Sequence, residues 1–177
     1  MTYQHIPGVI VTAQFSKISG IDYRYRLDIS LAKPRDANKI ACVVMQNPSC
    51  AGEEIADKSV QFMEKNVFLC GLPEFYAVRR LIIVNQFARI QTNHFNGEPE
   101  KSDQTNDEVI RAALRESHII IIAWGKTNRF EERKKFILGL LGEMKRKELF
   151  QTLMHPSRGC YKNFIQPTRL INGCLAP

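Results

Sequence analysis

The sequence predicts an α/β protein with a mostly parallel sheet, and two observations support this prediction. After residue 33, four short apolar runs alternate with longer segments of helical periodicity. Uninterrupted apolar runs are typical of strands that crossover helices bury on both faces, which gives three layers, α/β/α. The chain of 177 residues is 44% hydrophobic, which is enough for one domain to bury its own core. We therefore predict one domain over residues 1–177.

The apolar runs are the predicted strands of a four-stranded, mainly parallel sheet. They cover residues 40–45, 81–84, 119–123 and 149–154. Helices are predicted near residues 57–71, from an N-cap at Ser102 or Thr105, and near residues 129–147. Strand and helix alternate through this part of the chain, which is typical of right-handed β-α-β crossovers.

The two ends of the chain follow different patterns. Segments 9–16 and 23–31 alternate in β style around a turn at Ser19 and Gly20, so residues 1–33 are predicted to form an antiparallel hairpin. The parallel core then covers residues 34–162. Residues 163–177 carry no clear element, and we expect a loose tail that packs on the sheet edge.

Cysteine usage and hydropathy predict a cytoplasmic location. The five cysteines are odd in number and show no C-x-x-C spacing, so the pattern favours neither a disulfide framework nor a zinc or haem site. No apolar run approaches the roughly 18 to 20 residues that span a bilayer, and the N-terminus lacks the pattern of a signal peptide. We predict no membrane association, no metal and no cofactor.

The charge of the chain favours a polyanionic partner. The formal net charge is +7, and Lys and Arg that neutralise phosphates release counterions on binding. The charge alone does not say which polyanion is bound, and a nucleic-acid face is one interpretation of it. The alternative is that the excess is solvated helix surface, as in the charged stretches 131–135 and 145–148.

Candidate site residues follow the predicted strands, because ligands bind beyond the carboxyl ends of strands in parallel sheets. The residues at these strand ends are Gln46, Asn47 and Ser49; Asn85, Phe87 and Arg89; Trp124; and His155, Ser157 and Arg158. A proline follows both Asn47 and His155 and biases each toward extended backbone. Each also has a structural alternative: the Asn residues can satisfy turns, a lone His can be structural, and Trp124 can pack between sheet and helix.

Five motifs carry a resemblance to known families. In chain order they are Y-R-Y-R-L, V-M-Q-N-P-S-C-A, I-V-N-Q-F-A-R, I-I-A-W-G and H-P-S. Over roughly residues 23–160 they resemble a bacterial and phage family catalogued as domain of unknown function 1643. More distantly, their order is similar to that of the uracil-DNA glycosylase superfamily. That resemblance implies that the four strands lie in the order 2-1-3-4.

The glycosylase resemblance implies roles for individual residues. It implies that Asn47 holds the attacking water, Asn85 reads the base edge and His155 donates to the base oxygen. Arg89, Arg158 and Lys162 would then grip flanking phosphates, and substrate contacts would come from Gln46, Ser49, Phe87 and Ser157. The resemblance also implies DNA or a nucleotide as the partner. The sequence departs from the superfamily pattern at three positions. Asn47 cannot ionise, Ser49 stands where an aromatic residue that excludes thymine is expected, and Gly159 stands where a wedge residue is expected. These departures suggest a modified or single-stranded substrate, a nucleotide, or a loss of catalysis.

The sequence leaves three functions open. The first is a protein that binds a nucleobase or nucleotide and hydrolyses its N-glycosidic bond, with Asn47 and His155 as catalytic residues. The second is a nucleic-acid-binding module without catalysis. The third is a small-molecule hydrolase or transferase in which Glu53, Glu54 or Asp57 supplies a carboxylate, although such residues also favour the start of a helix.

Overall fold

A computed structural model describes residues 2–33, 38–91, 95–97, 103–126, 128–144, 147–159 and 162–176. The strands are β1 (Val9–Ile18), β2 (Ile21–Leu31), β3 (Lys39–Met45), β4 (Val78–Asn85), β5 (Ile119–Ile122), β6 (Glu148–Thr152), β7 (Ile165–Pro167), β8 (Arg169–Ile171) and β9 (Cys174–Ala176). The helices are α1 (Lys58–Phe68), α2 (Gln104–Glu116) and α3 (Glu131–Gly142).

The main sheet has seven strands in the order β1-β2-β4-β3-β5-β6-β7. Strands β4, β3, β5 and β6 pair in parallel, whereas β1, β2 and β7 are attached by antiparallel pairings. The prediction of a four-stranded sheet is therefore wrong in strand number. The N-terminal hairpin extends the sheet along β4, and a C-terminal strand extends it along β6.

Helices cover both faces of the parallel strands. Ala41 and Val43 of β3 belong to a core cluster that includes α1 residues such as Met63. Their neighbours Cys42 and Val44 belong to the opposite cluster, with residues of α2 and α3. Because successive side chains of a strand point to opposite faces, a strand buried on both sides has no polar position. This explains the uninterrupted apolar runs and confirms the predicted α/β class.

The N-terminal hairpin forms as predicted and contains a β-bulge. Its turn residues Ser19 and Gly20 have positive φ angles of 51° and 80°. Along the two strands the register passes from Gln14 opposite Arg26 to Phe15 opposite Arg24, so that one residue of β2 has no partner on β1. A bulge of this kind redirects the side chains that flank it. Arg26 pairs with Glu116 at the end of α2, whereas Arg24 bonds the loop that follows β3.

Two predicted helix boundaries are corrected. The N-cap of α2 is Asp103, whose side chain accepts from the Asn106 backbone N–H at 3.0 Å, while Thr105 lies inside the helix. The other candidate, Ser102, lies outside the described residues. Helix α3 ends at Gly142 instead of continuing to 147. None of the helices formed by the described residues is long and apolar enough to cross a membrane.

The C-terminal segment is more ordered than the predicted loose tail. Strand β7 pairs with β6 and thereby occupies the sheet edge, where the tail was expected to pack. Strands β8 and β9 form a separate hairpin, and Leu170 of this hairpin packs against the cluster that contains α2 and α3. Pro177 lies outside the described residues.

Candidate functional site

A cavity of about 990 Å³ lies at the carboxyl ends of the parallel strands, where β3, β5 and β6 run into their loops and α1 begins. Of the nine residues with a predicted catalytic or substrate-binding role, six line it: Gln46, Asn47, Ser49, His155, Ser157 and Arg158. Trp124, which follows β5, lines it as well and is 7% exposed. The fold therefore brings together residues that are more than a hundred positions apart in the chain.

His155 is held in one tautomer by the turn that follows it. Its Nδ1 accepts from the backbone N–H of Ser157 at 3.2 Å and lies 2.9 Å from the hydroxyl oxygen of the same residue. The other ring nitrogen, Nε2, is then the one that carries hydrogen in the neutral ring. Burial lowers the pKa of His155, and the charge of Arg158 lowers it further, against the opposing effect of Asp57. The ring is therefore a neutral donor at neutral pH.

Asn47 is oriented by its amide nitrogen. Nδ2 donates to the backbone carbonyl of Gln91 and, at 3.3 Å, to that of Pro48. The Asn47 side-chain oxygen accepts a long contact of 3.5 Å from the Gln46 amide nitrogen. Because the nitrogen is committed to two carbonyls, the oxygen is the atom that can accept from a water or a ligand in the cavity.

One carboxylate lies among the described residues that line the cavity, and it also caps α1. Asp57 Oδ1 accepts from the Val60 backbone N–H at 2.8 Å, and its Oδ2 accepts from the Ser49 hydroxyl. Such side-chain caps satisfy the otherwise unpaired first N–H groups of a helix. Asp57 therefore ties the loop after β3 to the start of α1, and both structures form the same wall of the cavity.

Two glycines allow close packing around the loop that carries His155. A Cβ on Gly125 would lie 2.9 Å from the His155 backbone nitrogen, and the φ of Gly125 is +83°. A Cβ on Gly159 would lie 2.4 Å from the Phe62 ring. The position where a duplex wedge was expected is thus in contact with α1, with no space for a side chain.

Asn85, Phe87 and Arg89 do not line this cavity. Asn85, which was predicted to read the base edge, is 1% exposed. Its Oδ1 accepts from Arg24 Nη2 at 3.2 Å, and Arg24 lines the cavity in its place. Phe87 is 1% exposed and packs edge-to-face with Phe95 and Phe130 beside a different cavity. Arg89 forms an isolated bridge with Tyr23 of β2. The antiparallel strand β2, which lies beside β4, is the physical reason for this difference.

Arg24 is the residue that sequence reasoning missed. Its side chain is 1% exposed, lines the cavity, and donates from Nη1 to the Ala51 carbonyl at 2.8 Å. Burial lowers the pKa of Arg24 to about 10, and Asp57 acts in the opposite direction. The only signal in the sequence was an arginine between two tyrosines of a strand, and regular alternation would have placed it on the same face as Arg26.

The walls of the cavity are electropositive. The described lining residues include four cationic side chains and one carboxylate: Arg24, Lys58, Lys126, Arg158 and Asp57. A positively charged wall attracts anionic ligands. Within the described ranges, no group of three or more His, Cys, Asp or Glu side chains could hold a metal ion.

Comparison with known proteins identifies one family. A family model described as "Protein of unknown function (DUF1643)" matches residues 24–161. No curated protein and no solved structure matches the chain. The match covers the strands of the parallel sheet and every residue of the candidate site except Tyr3.

Proposed function

We propose, starting from the fact that the chain belongs to the DUF1643 family of proteins of unknown function, that it binds a nucleotide in the cavity and hydrolyses the N-glycosidic bond. The nucleotide is a unit of nucleic acid or a free nucleotide. One observation supports the proposal above the others. Asn47 and His155, which follow strands separated by β5, line a single electropositive cavity.

His155 supplies the group that N-glycosidic cleavage needs most. As the bond breaks, negative charge develops on the departing base, and a neutral donor already in place stabilises it without reorganisation. The Ser157 backbone N–H occupies Nδ1 and leaves the Nε2–H as the donor of the ring. The lowered pKa of His155 keeps its ring neutral at neutral pH. The ring therefore takes up no proton itself and acts on the leaving base as a hydrogen-bond donor.

Asn47 orients the water that attacks the sugar carbon. Its amide nitrogen is committed to backbone carbonyls, so its oxygen accepts from the water. An amide cannot take the proton, and catalysis by this pair is therefore expected to be slow. The proton passes to bulk solvent or to Asp57, the one carboxylate among the described lining residues.

A second candidate, nucleotide binding without catalysis, is favoured by the contact between Arg24 and Asn85. The oxygen of Asn85 is already bonded to a guanidinium, which removes the acceptor that would read a base edge. In this case the cavity recognises the charge of its ligand, and the amide of Asn47 and the ring of His155 serve as binding groups.

The proposal is tested by base release. The purified protein is incubated with single-stranded and duplex DNA that contain uracil or other altered bases, and with free nucleotides, and the released base is quantified. We expect the protein to release base from at least one substrate. His155→Ala should lower the rate of release about 10²- to 10³-fold, because removal of one preorganised donor has effects of this size. Lys135→Gln, on the exposed face of α3, is the control.

The outcomes separate the two candidates. If the folded protein releases no base from any substrate, hydrolysis is excluded. Binding then decides the second candidate: Asn47→Ala and His155→Ala weaken nucleotide binding if these residues contact the ligand. If neither variant changes the affinity or its salt dependence, the cavity is not the nucleotide site.

A further inference from the structure

Arg24 differs from Arg26, Arg80 and Arg133 in the charges around it. Arg26 and Arg80 each pair with Asp28 and Glu116, and Arg133 pairs with Asp107. Arg24 is more deeply buried than these, yet its described hydrogen bonds go to two neutral acceptors, the Ala51 carbonyl and the Asn85 amide oxygen. Its Nε has no hydrogen-bond partner among the described residues. The same holds for Arg80 Nε and Arg133 Nη2, but those two side chains are paired with carboxylates.

A buried cation without a counterion is unstable unless something compensates it. Removal of an ion from water costs several kcal/mol even after relaxation, which is why buried charges are paired. At neutral pH Arg24 stays protonated despite its lowered pKa. A second buried donor, Asn85 Nδ2, also lacks a partner among the described residues and belongs to the amide whose oxygen Arg24 bonds. Arg24 in the wall and Asn85 behind it therefore each have a donor without an acceptor among the described residues.

The neighbouring charges do not remove this imbalance. Asp57, the carboxylate of the described lining, acts on Arg24 through its charge, but its oxygens bond the Val60 N–H and the Ser49 hydroxyl and not the guanidinium. Lys58 and Arg158 are exposed at the same cavity and add positive charge. The cavity is thus short of negative charge at its inner wall and at its opening.

We propose that Arg24 marks a subsite for a phosphate monoester, with Lys58, Lys126 and Arg158 around it. This inference rests on the proposed function in taking the same cavity as the ligand site, but it does not require hydrolysis. A guanidinium presents paired donors that match the oxygens of a phosphate, and such pairs are short and strong. Asn85 is a positioning residue, since it holds the guanidinium in place without lining the cavity.

The position of Arg24 favours a terminal phosphate over an internal phosphodiester. Its side chain lines the cavity but is 1% exposed, so little of its surface is accessible, and a projecting terminal group meets it more readily than an internal one. An internal diester has a substituent on each side and carries a single charge. A monoester carries about −1.5 to −2 at neutral pH and has three terminal oxygens, which suits a wall with four cations and one carboxylate among its described residues.

Fluorescence of Trp124 provides a direct binding assay. It is the one tryptophan of the chain, and it lines the cavity. The probes are inorganic phosphate, a nucleoside, its 5′-monophosphate, and one oligonucleotide with and without a 5′-terminal phosphate. We expect the monophosphate to bind and the nucleoside to bind at least about tenfold more weakly, the size expected for one charge-assisted hydrogen bond. The oligonucleotide pair shows whether the phosphate belongs to a free nucleotide or to the end of a nucleic acid.

Variants assign the binding to Arg24. Arg24→Lys keeps the charge but loses the paired donors, and Arg24→Met loses both, so we expect affinity for the monophosphate to fall about tenfold or more in each. Lys135→Gln removes one charge outside the cavity and should leave the affinity unchanged within about twofold. If the Arg24 variants do not fold, Lys58→Gln and Arg158→Gln, which alter exposed side chains, test the same subsite.

Two results would overturn the inference: equal binding of the nucleoside and its monophosphate, or wild-type phosphate affinity in folded Arg24→Met. Loss of binding in Arg24→Met and in Arg158→Gln, with Lys135→Gln unaffected, supports it. Its failure can be told from failure of the proposed function. Base release without phosphate binding would overturn only the subsite, and phosphate binding without base release would overturn only the hydrolysis.

Discussion

The amide of Asn47 is oriented by two backbone carbonyls, and this limits which side chain can replace it. Asn47→Asp is the substitution that would introduce an ionisable base at this position. It would also place a carboxylate against the carbonyls of Pro48 and Gln91, which the Asn amide nitrogen now satisfies. The side chain that orients water here is thus also part of the loop structure.

We therefore predict that Asn47→Asp lowers the free energy of unfolding by about 1–3 kcal/mol, because two hydrogen bonds are replaced by contacts between a carboxylate and carbonyl oxygens. Urea denaturation measures this change. Gln14→Glu makes the same amide-to-acid exchange at an exposed position of β1 and should change the free energy of unfolding by less than about 0.5 kcal/mol. Equal effects of the two substitutions would contradict the orienting role of the carbonyls.

Asp57 combines a cap with a charge, and the two roles can be separated. Asn is as good an N-cap as Asp, so Asp57→Asn keeps the bond to the Val60 N–H while it removes the carboxylate from the cavity. We expect little change in thermal stability and binding of a nucleoside monophosphate that is about two- to tenfold tighter, because one repulsive charge is lost. Titration by Trp124 fluorescence measures the affinity. Weaker binding in Asp57→Asn would show that the carboxylate contacts the ligand.

At the level of the elements, the loop after β5 depends on a glycine to approach the loop after β6. A Cβ on Gly125 would lie 2.9 Å from the His155 nitrogen, in a backbone conformation that disfavours side chains. We predict that Gly125→Ala lowers the free energy of unfolding by about 1–3 kcal/mol and shifts the NMR resonances of the His155 ring.

Gly139 provides the matched control for Gly125. It lies in α3, and a Cβ there would meet nothing within 4 Å. Gly139→Ala is therefore expected to stabilise the protein by up to about 1 kcal/mol through helix propensity, without effect on His155. If Gly125→Ala behaved like Gly139→Ala, close packing of the two loops would not position His155.

The elements also show what the sequence can and cannot predict. The parallel strands were predictable because burial on both faces leaves only apolar residues, as in β5, whose four residues are all isoleucine. Strand β7 was not predictable from the sequence, because it is three residues long and ends in a proline. The position of Arg24 was not predictable either, because it depends on a bulge in β2 that no local pattern marks. The same bulge and the placement of β2 beside β4 account for the burial of Asn85.

Across the whole molecule, two histidines have pKa values that are shifted in opposite directions. His5 lies between Glu64 of α1, which its Nδ1 contacts, and the Gly52 carbonyl, 2.9 Å from its Nε2. Burial by itself lowers the pKa of His5, but the hydrogen bonds to Glu64 and Gly52 outweigh it and raise the pKa above 6.5. Burial and Arg158 lower the pKa of His155 below 6.5.

The two shifts predict opposite pH dependences of stability. A raised pKa means that the folded state binds the proton more tightly, so the contribution of His5 is complete below pH 6.5 and is lost as the pH rises through its folded pKa. For His155 the contribution is present above pH 6.5 and is lost as the pH falls toward its lowered folded pKa.

Thermal unfolding of the wild type, His5→Gln and His155→Gln between about pH 5 and 9 measures these two contributions. We expect the stability difference from wild type to shrink with rising pH for His5→Gln and with falling pH for His155→Gln. Slopes of the same sign in the two variants would mean that one of the imidazoles does not have the partners described for it.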